Sequence, residues 1–180
     1  MGNYASLSEV KEFLDVAGTT VYDSLLNRII SRAEKAIDLF IGRSLVLETY
    51  NESYDIKDDY QDQIFVRHTP IVSVVAVTDD GTAVDLDDLG IDEETGLVRL
   101  TGDDSYFTKG KDSLEICYSA GYATIPPEIV LATELLVSYY FAQRRRVGVR
   151  SERVGDVSQT FFGGFPPEVE EILVRYRMPL

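Results

Sequence analysis

A chain of 180 residues with one Cys, one His and no Trp has room for one domain, or for one domain with a sizeable insertion, and at this size it buries roughly 70% of its unfolded surface without metal or disulfide staples. Its 17 Lys and Arg against 31 Asp and Glu leave a net charge of −14, which argues against a general nucleic-acid binder, and a single Cys excludes an internal disulfide framework and fits a reducing compartment. No apolar run approaches the roughly 20 residues of a membrane span, and the polar start Met1–Glu9 lacks the pattern of a signal peptide.

Ser6-Leu7-Ser8-Glu9 is a capping-box pattern that opens a short helix with apolar positions Leu7, Val10, Phe13 and Leu14, broken at Gly18. Thr20 is placed to cap a second helix, with Asp23 in its first turn. Val21, Leu25, Ile29, Ala33, Ala36, Ile37 and Phe40 recur at helical spacing, and Gly42 follows as a left-handed stop. From Ser44 the period changes. Leu45–Tyr54, Gln63–His68, Ile71–Thr78, Thr82–Leu86, Gly96–Thr101 and Ser113–Ser119 read as short strands, with a hairpin signal at Asp79-Asp80-Gly81 and a bend at Pro70. Pro126-Pro127-Glu128 then opens a helix running to about Val147, with Ile129, Thr133, Leu136, Val137, Tyr140 and Phe141 on its apolar side. A loop containing Gly155, Gly163 and Gly164 leads to a last short helix from Pro166-Pro167-Glu168, bearing Val169, Ile172, Leu173 and Tyr176.

Charge follows this division. Residues 1–43 hold 6 acids and 5 bases, residues 44–118 hold 18 acids and 5 bases, and residues 119–180 hold 7 of each. The excess is therefore concentrated in the β-rich middle. The expected architecture is α+β: a small helical bundle core, discontinuous over 1–43 and 119–180, carrying an acidic β-rich insertion over 44–118.

The residues for catalysis are missing. His68 is the only candidate base, and no G-x-S-x-G or comparable nucleophile motif accompanies it. Cys117 alternates with apolar neighbours in a strand and reads as a small buried hydrophobe. One Cys and one His cannot complete a zinc site. The run from Asp85 fails as a calcium loop, with Leu89 at the fifth position and Gly96 at the twelfth. There is no phosphate-binding glycine loop. The expectation is no enzyme, no catalytic residue, no cofactor and no metal. The residual enzyme reading is a metal-dependent hydrolase built on acidic turns such as Asp58-Asp59 and Asp103-Asp104, and it has no motif behind it.

Two features stand out. Arg144, Arg145, Arg146, Arg150 and Arg153 fall within ten residues holding a single acid, Glu152. A solvated helix end accounts for one or two of them through the helix dipole, at about 0.3–1 kcal/mol each. The whole cluster suits either nucleic-acid phosphates or carboxylates of a neighbouring subunit, which Arg pairs in bidentate fashion; the carboxylate pairing is preferred. The second feature is Phe161-Phe162-Gly163-Gly164-Phe165, which either staples the last helix to the core or anchors a partner. The tail from Tyr176-Arg177 to Leu180 has the same two readings.

In their order and spacing the fragments resemble the head–tail connector, adaptor or head-completion proteins of long-tailed bacteriophages and prophages. The resemblance runs over nearly the whole chain, through Leu7–Leu14, Ala33–Ile37 into Ile41-Gly42-Arg43, Thr69–Val74, Tyr118–Tyr122, Ile125–Ile129, Ser151–Ser158 and Pro167–Arg177. It implies a non-enzymatic virion protein, made in the host cytoplasm and placed at the head–tail interface. Such proteins form a ring of about twelve copies under the portal protein, extend the DNA channel without binding DNA specifically, and receive a stopper or tail-completion protein. The resemblance puts Arg144, Arg145, Arg146, Arg150 and Arg153 near subunit contacts, and Phe161, Phe162, Phe165, Tyr176 and Arg177 toward the portal. The isolated chain is expected to remain a monomer and to have no membrane partner. The alternative is a DNA-binding accessory protein that uses the Arg144–Arg153 cluster.

Overall fold

The computed structural model describes residues 4–102, 105–144, 151–154, 157–160 and 164–177. Helices and antiparallel sheets make it a mixed α+β protein. The chain divides into two compact units, one of Met1–Gly42 with Ile125–Leu180 and one of Arg43–Thr124.

The first unit holds the helices. α1 (Leu7–Phe13) starts on the expected reciprocal cap: Ser6 Oγ accepts the Glu9 amide at 3.2 Å, and the Glu9 carboxylate accepts the Ser6 amide at 2.7 Å. α2 (Asp23–Ile41) buries Leu26, Ile29, Ile30, Ala33, Ile37 and Ile41 along one stripe. It ends at Gly42, whose φ of 90° is the left-handed conformation that glycine adopts without steric cost. Its start differs from expectation. Tyr22, not Thr20, is the N-cap, and no side chain caps it. A turn comes first, in which the Thr20 carbonyl accepts the Asp23 amide at 3.2 Å. Tyr4 ties the segment before α1 to α2: its amide donates to the buried Glu34 at 2.8 Å, and its hydroxyl donates to Asp38.

α3 (Pro127–Gln143) opens on proline and ends at Arg144; the continuation toward Val147 lies outside the described residues. α4 (Pro167–Val174) likewise begins on proline and buries Val169 and Leu173. α3 packs on α1, α2 and α4. The segment read from the sequence as a loop contains an antiparallel pair, β8 (Ser151–Val154) with β9 (Val157–Thr160). Its two four-residue strands, Ser-Glu-Arg-Val and Val-Ser-Gln-Thr, are mostly polar and too short to show alternation, so the pattern that marks a strand is absent.

The second unit is built of two sheets. β1 (Glu48–Ile56), β7 (Gly110–Ala120), β3 (Ile71–Asp79) and β4 (Thr82–Val84) hydrogen-bond in that order, and β2 (Gln63–Phe65), β6 (Leu97–Leu100) and β5 (Leu89–Asp92) form the other sheet. Leu114, Ile116, Tyr118 and Ala120 point inward from β7 and share one core with Ile71, Val77, Ile64, Leu89, Val98 and Phe107. The β3–β4 hairpin turns at Asp80-Gly81, as expected, with both residues at positive φ.

Four strand expectations change. β1 begins at Glu48, because Val46 makes only an isolated parallel bridge to Tyr122. β2 stops at Phe65, since the Val66 amide leaves the sheet to donate to the Gly96 carbonyl at 2.9 Å. The strand expected over Thr82–Leu86 closes at Val84 and passes into a short 3-10 turn, Leu86–Asp88. β5 is an additional strand, obscured in the sequence by the acids around it and by Gly90. An added Cβ at Gly90 would come within 3.1 Å of Arg99 Nε on the paired strand. Cys117 is also corrected: it faces outward with Glu115 and Ser119, on the side of β7 opposite the core, and is half-buried.

Candidate subunit and partner interface

Of the five clustered arginines, Arg144 is described with its side chain. It terminates α3, where its guanidinium donates to the Phe141 carbonyl and stacks over the Phe141 ring at 3.7 Å. The Tyr22 ring lies 5.6 Å from the same cation and meets Phe141 edge to face at 5.3 Å. This cation is thus drawn over two rings of its own helical unit, a contact worth about 0.5–1 kcal/mol where exposed. Arg153 sits in β8, opposite Ser158. Arg145, Arg146 and Arg150 lie outside the described residues.

The aromatic candidates divide similarly. Phe165 is half-buried and meets Phe40 of α2 edge to face at 5.2 Å. The exposed Arg177 guanidinium lies 5.7 Å over the same Phe40 ring. Tyr176 Oη donates to Glu128 in the first turn of α3 at 2.6 Å. Phe165, Tyr176 and Arg177 therefore bracket α4 and fasten it to α2 and α3. Phe161 and Phe162 lie outside the described residues.

The sequence reading missed a buried polar cluster in the β unit. Tyr50, Glu52, Tyr54 and Ile56 alternate toward the core face of β1, which puts a carboxylate where an apolar residue is expected. Glu52 is only 8% exposed. It accepts the Tyr54 hydroxyl, His68 Nδ1 at 2.8 Å and the Arg67 amide at 3.3 Å. An ionised carboxylate only accepts, so Nδ1 carries the proton. The His68 ring stacks on Tyr50 with centroids 3.7 Å apart, and the His68 amide donates to Tyr118 Oη at 3.1 Å.

Burial by itself pushes the Glu52 carboxyl up. The hydrogen bonds from Tyr54, the Arg67 amide, His68 and Tyr118 outweigh it and hold the group below the usual carboxylate value. The Tyr54 and Tyr118 hydroxyls are raised, first by burial and then by the neighbouring Glu52 charge. The signal was present in the sequence as an acid on the inward side of an aromatic alternation, together with the single histidine. The cluster ties β1, the segment after β2 and β7 to one another. Among the described residues, no group of three His, Cys, Asp or Glu is placed to hold a metal ion, and no helix is long and apolar enough to cross a membrane.

Comparison with known proteins adds the following. The family described as "Head completion protein" matches residues 4–179. No curated protein matches the chain. The chain is similar in fold to a chain from the neck of an empty GTA particle computed with C6 symmetry, with a TM-score of 0.63, 19% identity, and coverage of 95% of this chain and 89% of that one. It is also similar to a chain from the neck of a native GTA particle computed with C12 symmetry, with a TM-score of 0.60, 17% identity, and coverage of 100% and 93%.

Proposed function

The chain belongs to the head completion protein family, and from that premise we propose that it is a structural subunit of the phage neck. In this reading copies assemble into a ring beneath the portal protein of the filled head. The ring extends the DNA channel and presents a surface to the stopper or tail-completion protein. The observation that carries the proposal is the family match over residues 4–179, nearly the full chain. The likeness in fold to chains from two GTA necks supports it, one of them computed with C12 symmetry.

The helical unit is read as the bundle that builds the ring, and the β unit as an acidic insertion carried on it. The β unit holds 18 acids and 6 bases over residues 43–124, so it repels DNA phosphates and lets a genome slide past without adhering. Such units also repel each other, but the Debye length of about 8 Å at physiological salt restricts this to near neighbours. Arginines of one copy set against carboxylates of the next offset the repulsion and fix the register. A head-to-tail contact of this kind closes into a ring when its rotation allows. The C-terminal residues Phe161, Phe162, Phe165, Tyr176 and Arg177 are assigned to the portal side, and the virion neck is the assigned location.

The direct test is to mix the protein with the cognate portal ring and image the product by negative-stain electron microscopy. An added ring of density under the portal is the expected result, and it yields the copy number. A portal that stays bare beside free monomer overturns the reading.

A further inference from the structure

The β unit displays an aromatic pair that its own core does not use. Tyr60, in the β1–β2 connection, is 78% exposed, and Tyr106, in the connection leading to β7, is 40% exposed. Their rings meet edge to face with centroids 5.3 Å apart. The connections are already joined without them: Phe107 turns inward and is 2% exposed, and its amide donates to the Gln61 carbonyl at 2.9 Å. The tyrosines thus stand outside a finished core, and Tyr is among the residues that recur as interface anchors.

Their surroundings indicate what they bind. Asp58 and Asp59 precede Tyr60, and Asp62 follows it. Lys109 pairs with Asp59 at 3.0 Å; the other two carboxylates have no salt bridge among the described residues. An edge-to-face pair leaves ring faces open, and those faces carry negative potential. Open ring faces beside carboxylates select a planar cation that can stack and donate hydrogen bonds together, which is guanidinium rather than ammonium. The chain itself supplies that chemistry. With Arg144 occupied by Phe141 and Tyr22, the remaining arginines of the cluster are Arg145, Arg146, Arg150 and Arg153.

We propose that the Tyr60–Tyr106 end of the β unit docks the Arg145–Arg153 segment of a second copy of this chain. The proposal rests on the ring reading above and gives it a specific contact. The probe is a fluorescent peptide covering residues 143–154. The receptor is the full chain carrying Arg145→Ser, Arg146→Ser, Arg150→Ser and Arg153→Ser, so that its own segment does not compete. Fluorescence anisotropy at low salt should show saturable binding. Adding Tyr60→Ala and Tyr106→Ala to the receptor should weaken it about tenfold, and Tyr60→Phe with Tyr106→Phe should largely retain it.

A peptide with every Arg changed to Lys keeps the charge and should bind several-fold less tightly. Equal binding by the Lys peptide, or by the Ala receptor with an unchanged circular dichroism spectrum, reduces the effect to general attraction toward an acidic unit and overturns the proposal. So does the absence of binding up to about 1 mM. The portal experiment is independent of this contact. A ring that forms while the peptide ignores Tyr60 and Tyr106 removes the contact and leaves the neck reading in place.

Discussion

Glu52 is a buried carboxylate whose desolvation is outweighed by its hydrogen bonds. Its carboxyl is held below the usual value in the fold, so its hydrogen bonds add stability above the unfolded value of about 4.3. That contribution is lost as pH falls through the lower folded value. Urea unfolding followed from pH 7 to pH 3 should therefore show a decline that Glu52→Gln flattens. At pH 7 the same substitution should cost about 2 kcal/mol, because a buried acceptor of charge-assisted bonds is replaced by a neutral amide. An unchanged midpoint at pH 7 would remove Glu52 from the account of what holds β1 to its neighbours. Gly121 is the second sensitive position. Its φ is 110°, and a Cβ there would lie 2.4 Å from the Val46 carbonyl oxygen, which is backbone and cannot rotate away. Gly121→Ala should destabilise by at least about 2 kcal/mol, measured by thermal or urea unfolding.

At the scale of elements, α1 depends on its cap. Ser6→Ala removes the acceptor for the Glu9 amide and should cost about 1 kcal/mol. α3 carries an opposing feature. Burial raises the Glu134 carboxyl, and the charges of Glu9 and Glu12 add to the shift. A carboxylate raised in the fold opposes folding when ionised; the opposition fades as pH falls through the raised folded value and is gone below the unfolded one. Glu134→Gln should then stabilise the protein by a few tenths of a kcal/mol at pH 7 and by nothing near pH 3, read as the difference between two urea curves. β3 makes a different point about elements. Within its valine-rich run, Val72 is 51% and Val75 58% exposed. Register shifts between Ile71 and Ser73 and between Val74 and Ala76 turn those two side chains out.

For the whole molecule the proposals separate by charge and mass. A subunit that assembles only on its portal should scatter light in isolation as a 20.2 kDa monomer. It should not retain double-stranded DNA at moderate salt. Were all five clustered arginines on phosphates, log K would fall against log salt with a slope of about −4.5. Finding that slope would move the arginines from a subunit contact to a nucleic-acid surface. Arg144 contributes less to either use than its neighbours, because its cation is engaged over Phe141 within its own helical unit.

Local rules carried much of the fold. The Ser6–Glu9 cap, the α2 stripe with its Gly42 stop, the proline starts of α3 and α4 and the Asp80-Gly81 hairpin are each set by residues close together in the chain, so they are legible in the sequence. The concentration of acids in the middle third is legible for the same reason, since charge is simply counted. Tertiary structure decided what no local pattern encodes. It placed Glu52 beside His68, 16 residues away, and faced Cys117 outward by strand register. It also closed β5 against β6 across Gly90, and drew Arg144 and Phe165 onto rings of α2 and its approach, Tyr22 and Phe40. These outcomes depend on which distant strand or helix supplies the partner. That choice is made by burying a shared core within each unit, a property of all the elements of that unit at once and of no single segment.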